Sequence, residues 1–169
     1  HLDPLVDAAR VLAAAEDTAL FERYADGDIP GLATDSTHEG VPLPEDAEQL
    51  PDAVSDALER LRQAGVGGPY AIALGPDTYN ALDRTAGRGG YPVLRHVQRL
   101  IDEPVIWAPS LRGGLVASVR GGDFKLVCGR DAAIGYQQHD EKHVSLYIEE
   151  SFSAELNGPE AAIPLLPAA

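Results

Sequence analysis

The spacing of apolar residues changes once along this chain, after Asp102, and that change limits the fold more than any other feature. Before it, apolar side chains recur at helical intervals. After it, they come in short alternating or continuous runs of strand type. Helices first and strands afterwards predict an α+β chain. No internal repeat is visible, and 169 residues suffice for one domain, or for two small lobes sharing a core.

Asp3-Pro4 supplies an N-cap acceptor and a proline at the first helical position. Leu5, Ala9, Leu12, Ala19, Leu20 and Tyr24 then mark one side of a long amphipathic helix, expected to end near Ala25. Asp26-Gly27-Asp28 and Ile29-Pro30-Gly31 break it. Residues 32–50 are polar and aperiodic and read as a connector. Pro51 opens a second helix with an apolar stripe of Val54, Ala57, Leu58 and Leu61, stopped at 65–69. Residues 70–74 read as a buried strand. A third helix starts at Gly75-Pro76-Asp77, and a fourth at Pro92 carries Val93, Leu94, Val97, Leu100 and Ile101 inward. Strands are expected at 105–107, 115–119, 124–128, 132–136 and 144–156, so that 120–136 reads as two short strands joined by glycine-containing turns. In the last strand Val144, Leu146, Ile148 and Phe152 are expected to face inward, with a register shift near Glu150.

The formal charge of −14 argues against a nucleic-acid partner, since phosphate contacts need clustered bases. Lys125 and Lys142 are the two lysines, and the eleven arginines are spread along the chain. Cys128 has no second cysteine to pair with and sits in an apolar run, so it is expected to be a small buried hydrophobe, as suits a reducing cytoplasm. No apolar span is long enough for a membrane. The chain has no methionine and starts at His1, which reads as the remainder of a longer chain.

The arrangements that might carry chemistry are weak. The glycines at 65–68 follow a helix and precede a strand, the reverse of a dinucleotide loop. His139 and His143 are four apart, but in a turn and strand that spacing separates the rings, so a solvated hairpin tip is the better reading than a metal site. Glu149 and Glu150 are adjacent and would point to opposite sheet faces, which suits no acid–base pair. Ser36, Thr37 and His38 read as loop polarity, not as a nucleophile with its base. No catalytic residue, metal or cofactor is expected.

Several segments in order carry a resemblance. They include Ala15-Glu16-Asp17, Phe21-Glu22, Ile29-Pro30-Gly31, Leu61-Arg62, Gly68-Pro69-Tyr70 and Tyr91-Pro92. Ile106-Trp107-Ala108-Pro109, Arg120-Gly121-Gly122-Asp123-Phe124, Ile134-Gly135-Tyr136, Leu146-Tyr147-Ile148, Glu150-Ser151-Phe152 and Pro159-Glu160-Ala161 follow. Together they make the chain resemble the encapsulin shell proteins of the linocin type.

That resemblance implies a phage-capsid-like (HK97-type) α+β fold and a bacterial, cytoplasmic, icosahedral nanocompartment built from many copies. The shell would hold a cargo enzyme, a dye-decolourising peroxidase or a ferritin-like protein, through the cargo's C-terminal peptide. It implies a spine helix and connector at 1–50, an apical domain at 51–130, and strands returning to the peripheral domain at 131–169. Part of the cargo pocket would correspond to Asp131, Ala132, Ile134 and Tyr136, although from the residues alone Ile134 and Tyr136 read equally well as core. The loop Thr85, Ala86, Gly87, Arg88, Gly89, Gly90 would line a five-fold pore, or be an ordinary surface loop. Gly89 and Gly90 stand where family members often carry a histidine. The family's N-terminal arm and extended loop precede the spine helix, where this sequence begins, and are expected to be missing from it. A prophage capsid protein packaging DNA and a protease-like enzyme are the rival readings.

Overall fold

Leu115 and Val116 are consecutive and both buried, because the sheet that contains them is covered on both faces. The computed structural model describes residues 2–87 and 90–167. In chain order they form α1 (Asp3–Glu22), β1 (Val41–Pro42), α2 (Leu50–Gln63), β2 (Tyr70–Leu74), α3 (Pro76–Arg84) and α4 (Val93–Gln98). Next come β3 (Ile106–Trp107), β4 (Gly114–Ser118), β5 (Phe124–His139), β6 (Val144–Leu156) and β7 (Ala162–Leu166). Five strands make one sheet in the order β1-β7-β4-β2-β3, with β4 antiparallel to β2 and β7 and the edge pairs parallel.

Side chains alternate across this sheet, and the two faces have separate cores. Ile72, Leu74, Val116, Ile163 and Leu165 meet the stripe Val54, Ala57, Leu58 and Leu61 of α2, with Val93 and Val97 of α4. Leu115 and Ala162 meet Ala108 and Leu111 on the other face, with Phe21, Leu32 and Ala33 packed around them. Each fully buried Leu or Ile contributes about 1.5–3 kcal/mol. The predicted stripe of α2 and the strand 70–74 are found as expected. Gly65, at φ +78°, ends the helix where Val66 N–H bonds back to Leu61 O.

The first helix stops at Glu22, short of the expected Ala25. Arg23 takes a positive φ, and Tyr24 pairs with Ile29 across a tight turn, leaving Tyr24 exposed. The connector is more ordered than expected. Its β1 joins the sheet, Ser36 Oγ donates to Ala162 O at 2.7 Å, and His38 Nε2 lies 2.9 Å from Glu160 O. A carbonyl only accepts, so Nε2 carries the proton. Ser36 and His38 are ties to 160–162. The fourth helix has only six residues, although Val93, Val97 and Ile101 are buried as read.

The largest departure is in the stretch read as two short strands. Residues 124–139 are one strand, β5, paired along its length with β6 in a separate two-stranded hairpin. Gly129 does not end the strand; it sits in an irregularity, with register shifts between Cys128 and Arg130 and between Arg130 and Ala133. The shift expected near Glu150 is therefore taken up on the strand opposite it. Residue 130, expected as a division of the chain, lies inside β5, and β7 pairs with β4. Thirteen residues of β6 carry the hairpin about 40 Å. Its base is pinned at Asp123, whose carboxylate takes two bonds of 2.9 Å from Arg120 and whose carbonyl accepts from Asn157 and Gly158.

Candidate functional site

The hairpin is amphipathic by construction. The pairs Phe124–Leu156, Leu126–Ala154, Cys128–Phe152, Ile134–Ile148 and Tyr136–Leu146 alternate with Lys125–Glu155, Val127–Ser153, Ala133–Glu149 and Gly135–Tyr147. Opposed residues share a face, so the first set makes an apolar surface and the second a largely polar one. At the base, Leu20, Pro30 and Leu32 close on Phe124, Leu126, Ala154 and Leu156 around a cleft of about 130 Å³. α1 continues along β6, and Phe152, Ala154 and Leu156 are half-buried.

Beyond that cover the apolar face is open. Ile134 is 56%, Tyr136 57%, Val144 64% and Leu146 48% exposed. The inward orientation expected for Val144 and Leu146 is thus corrected, since nothing in the described residues lies over them. Ile134 and Tyr136 are likewise not core. Cys128 is exposed rather than a buried hydrophobe, because its strand belongs to the hairpin and not to the sheet.

Asp131 and Ala132 fall in the irregular part of β5, where the Asp131 carboxylate accepts from Ala132 N–H at 2.8 Å. Four acids gather at this level. The Glu16 carboxyl is held above its ordinary value, chiefly by desolvation and then by Glu150, Asp17 and Asp131, and desolvation also raises Asp17. Sequence reasoning missed Glu16 and Asp17, which reach the site only through the packing of α1 on β6, a contact with no local signal. Glu149 and Glu150 diverge as expected, Glu149 pairing with Arg130. At the tip, Asp140 accepts from the backbone of Lys142 and His143, which lowers its pKa, and Tyr136 OH bonds to His139. The tip is solvated, and no metal-binding group of three side chains exists among the described residues.

Of the other expected site, 85–90, the described residues Thr85, Ala86, Gly87 and Gly90 lie between α3 and α4. Ala86 pairs with Pro92, Gly87 N–H donates to Tyr91 O at 2.8 Å, and Gly90 has φ +79°. Arg88 and Gly89 lie outside the described residues.

A long, half-covered apolar hairpin thus stands beside a doubly covered sheet. The Linocin_M18 family, described as an encapsulating protein for peroxidase, matches residues 1–153. The chain belongs to the Linocin_M18 family. Its relatives include the type 1 encapsulin shell protein of Rhodospirillum rubrum, 48% identical over 164 residues, covering 97% of this chain and 59% of that protein. That of Mycobacterium tuberculosis is 42% identical over 163 residues, covering 96% and 61%. This Linocin_M18 chain therefore spans about three fifths of the length of these relatives.

Among solved structures, the virus-like particle from Pyrococcus furiosus superposes with a TM-score of 0.65 at 17% identity, covering 92% of this chain and 64% of that one. The capsid of an empty GTA particle gives 0.59 at 15% identity, covering 95% and 64%. The Linocin_M18 fold here is α+β and of the phage-capsid (HK97-like) kind. The family is one of structural shell proteins and not of enzymes. No helix among the described residues is long and apolar enough to cross a membrane.

Proposed function

We propose that this chain is a shell subunit, many copies of which build a closed icosahedral compartment around a cargo enzyme in the bacterial cytoplasm. The observation that carries this is family membership over residues 1–153. The open apolar face at Ile134, Tyr136, Val144 and Leu146 supports it, because a bare two-stranded hairpin is marginal alone and exposed apolar patches mark contact sites. The parts would be a spine helix at α1, an apical part built on the five-stranded sheet with α2, α3 and α4, and the β5–β6 hairpin.

The cargo, a peroxidase as the family description has it or a ferritin-like protein, docks an extended C-terminal peptide along Asp131, Ala132, Ile134 and Tyr136. Ile134 and Tyr136, two apart on one face, offer anchors for alternate apolar residues of such a peptide. Residues Thr85 to Gly90 line the passage for small molecules.

Light scattering and negative-stain microscopy test the reading. Uniform closed particles are expected, retaining a protein that ends in an apolar peptide. Ile134→Asp with Tyr136→Asp is expected to give the same particles empty of cargo. Particles filled with DNA would overturn the reading in favour of a viral capsid, and a chain that forms no particle would overturn it outright.

A further inference from the structure

A second charged surface lies away from the hairpin, on the helical flank of the sheet. Four of the eleven arginines, Arg84, Arg88, Arg95 and Arg99, fall within residues 84–101, which contain no Asp or Glu. Residues 1–59 are the reverse, with 15 acids against Arg10 and Arg23 alone. Val93 and Val97 of α4 are buried, and Arg95 on the helix and Arg99 at its C-cap, two positions on from each, are exposed away from them. Arg84 is exposed at the end of α3. Arg84, Arg95 and Arg99 form no ion pair with any described residue.

The opposite charge is gathered on the other side of α4. Asp46, Glu48 and Asp52, exposed at the entry to α2, line a groove of about 460 Å³ whose far wall is Gly87, Val93 and His96. These carboxylates also lack ion-pair partners among the described residues. Arg95 and Arg99 do not line the groove, so the helix separates the two charges within one copy. Two copies related by a rotation can join them.

We infer that neighbouring copies of this chain meet head to tail here, with Arg95 and Arg99 of one copy entering the groove of Asp46, Glu48 and Asp52 on the next. This rests on the shell reading and names one of its contacts. A patch that differs from its partner patch makes a heterologous contact, which closes into rings when the rotation allows. Guanidinium groups suit it, because they bind carboxylates in two-point geometry. A chain of charge −14 repels its own copies overall, so a local inversion of sign is what lets them approach in one orientation.

The test is a charge swap. Arg95→Glu with Arg99→Glu, and separately Glu48→Lys with Asp52→Lys, should each lower particle yield about ten-fold or more at roughly 0.1 M salt while leaving the thermal melt of the chain in place. All four substitutions in one chain should restore the yield. Undiminished particles from either pair would overturn the contact and leave the shell reading standing. A direct readout separates the two further, in a Cys128→Ser background, by mixing Glu48→Cys chains with Arg95→Cys chains. An inter-copy disulfide in the mixture, and in neither alone, is expected. If the unmodified chain formed no particles, that disulfide would uphold the contact without the shell, and its absence at every concentration would overturn both.

Discussion

The five-stranded sheet and the β5–β6 hairpin carry similar apolar side chains with opposite fates. Ile72, Val116 and Ile163 are 0% exposed, whereas Ile134 and Leu146 are about half exposed or more. Hydrophobicity does not separate them; cover does. The sheet has α2 and α4 on one face and the end of α1 with 108–111 on the other, while among the described residues the hairpin has α1 along part of one face only. A side chain's strand position says which way it points, and only its neighbours decide whether it is buried.

Substitutions in the two regions should differ in cost accordingly. Leu58→Ala, in the core between α2 and the sheet, is expected to cost about 2–5 kcal/mol in urea unfolding, since it leaves a cavity that close packing cannot fill. Ser118→Ala removes the 2.6 Å bond to Gly67 O at a buried site and should cost about 1 kcal/mol by the same measurement. Ile134→Ala with Leu146→Ala should stay within about 0.5 kcal/mol in the dispersed chain, as at ordinary surface positions. A loss there approaching that of Leu58→Ala would show that the hairpin face is covered after all.

The smallest effect concerns Glu16. Its folded pKa lies above the ordinary 4.5, so between those values the folded chain binds more protons than the unfolded one, and stability declines as pH rises through that window. Glu16→Gln should therefore be slightly more stable than the parent at pH 7, by no more than roughly 0.5 kcal/mol. The gain should vanish at pH values below the ordinary 4.5. Thermal melts at the two pH values check it, and a gain that persists in acid would mean that ionisation at this site is not its cause.

The sheet half was largely legible in the sequence, because its signals are local. The stripe Val54, Ala57, Leu58, Leu61, the glycine stop at Gly65 and the run Tyr70–Leu74 each report a neighbourhood of a few residues. The hairpin was not. Gly129 looks like a turn, yet β6 supplies an unbroken partner across it, a constraint from some twenty residues away. Val144 and Leu146 alternate as core residues do, and alternation carries no information about a missing cover. Of the candidate site, Asp131, Ala132, Ile134 and Tyr136 come from the family resemblance alone, with no local signal of their own. Glu16, which joins them through helix packing, had no sequence signal.

Amide hydrogen exchange, followed in the dispersed chain and in assembled particles, reads directly whether cover is what separates the hairpin from the sheet. Slow exchange is expected in Tyr70–Leu74, Gly114–Ser118 and Ala162–Leu166 under both conditions. The distal hairpin, residues 133–148, should exchange fast when dispersed and about ten-fold or more slowly once neighbours or cargo cover its apolar face. A hairpin already as protected as the sheet in the dispersed chain, or one unchanged by assembly, would show that cover is not what separates them.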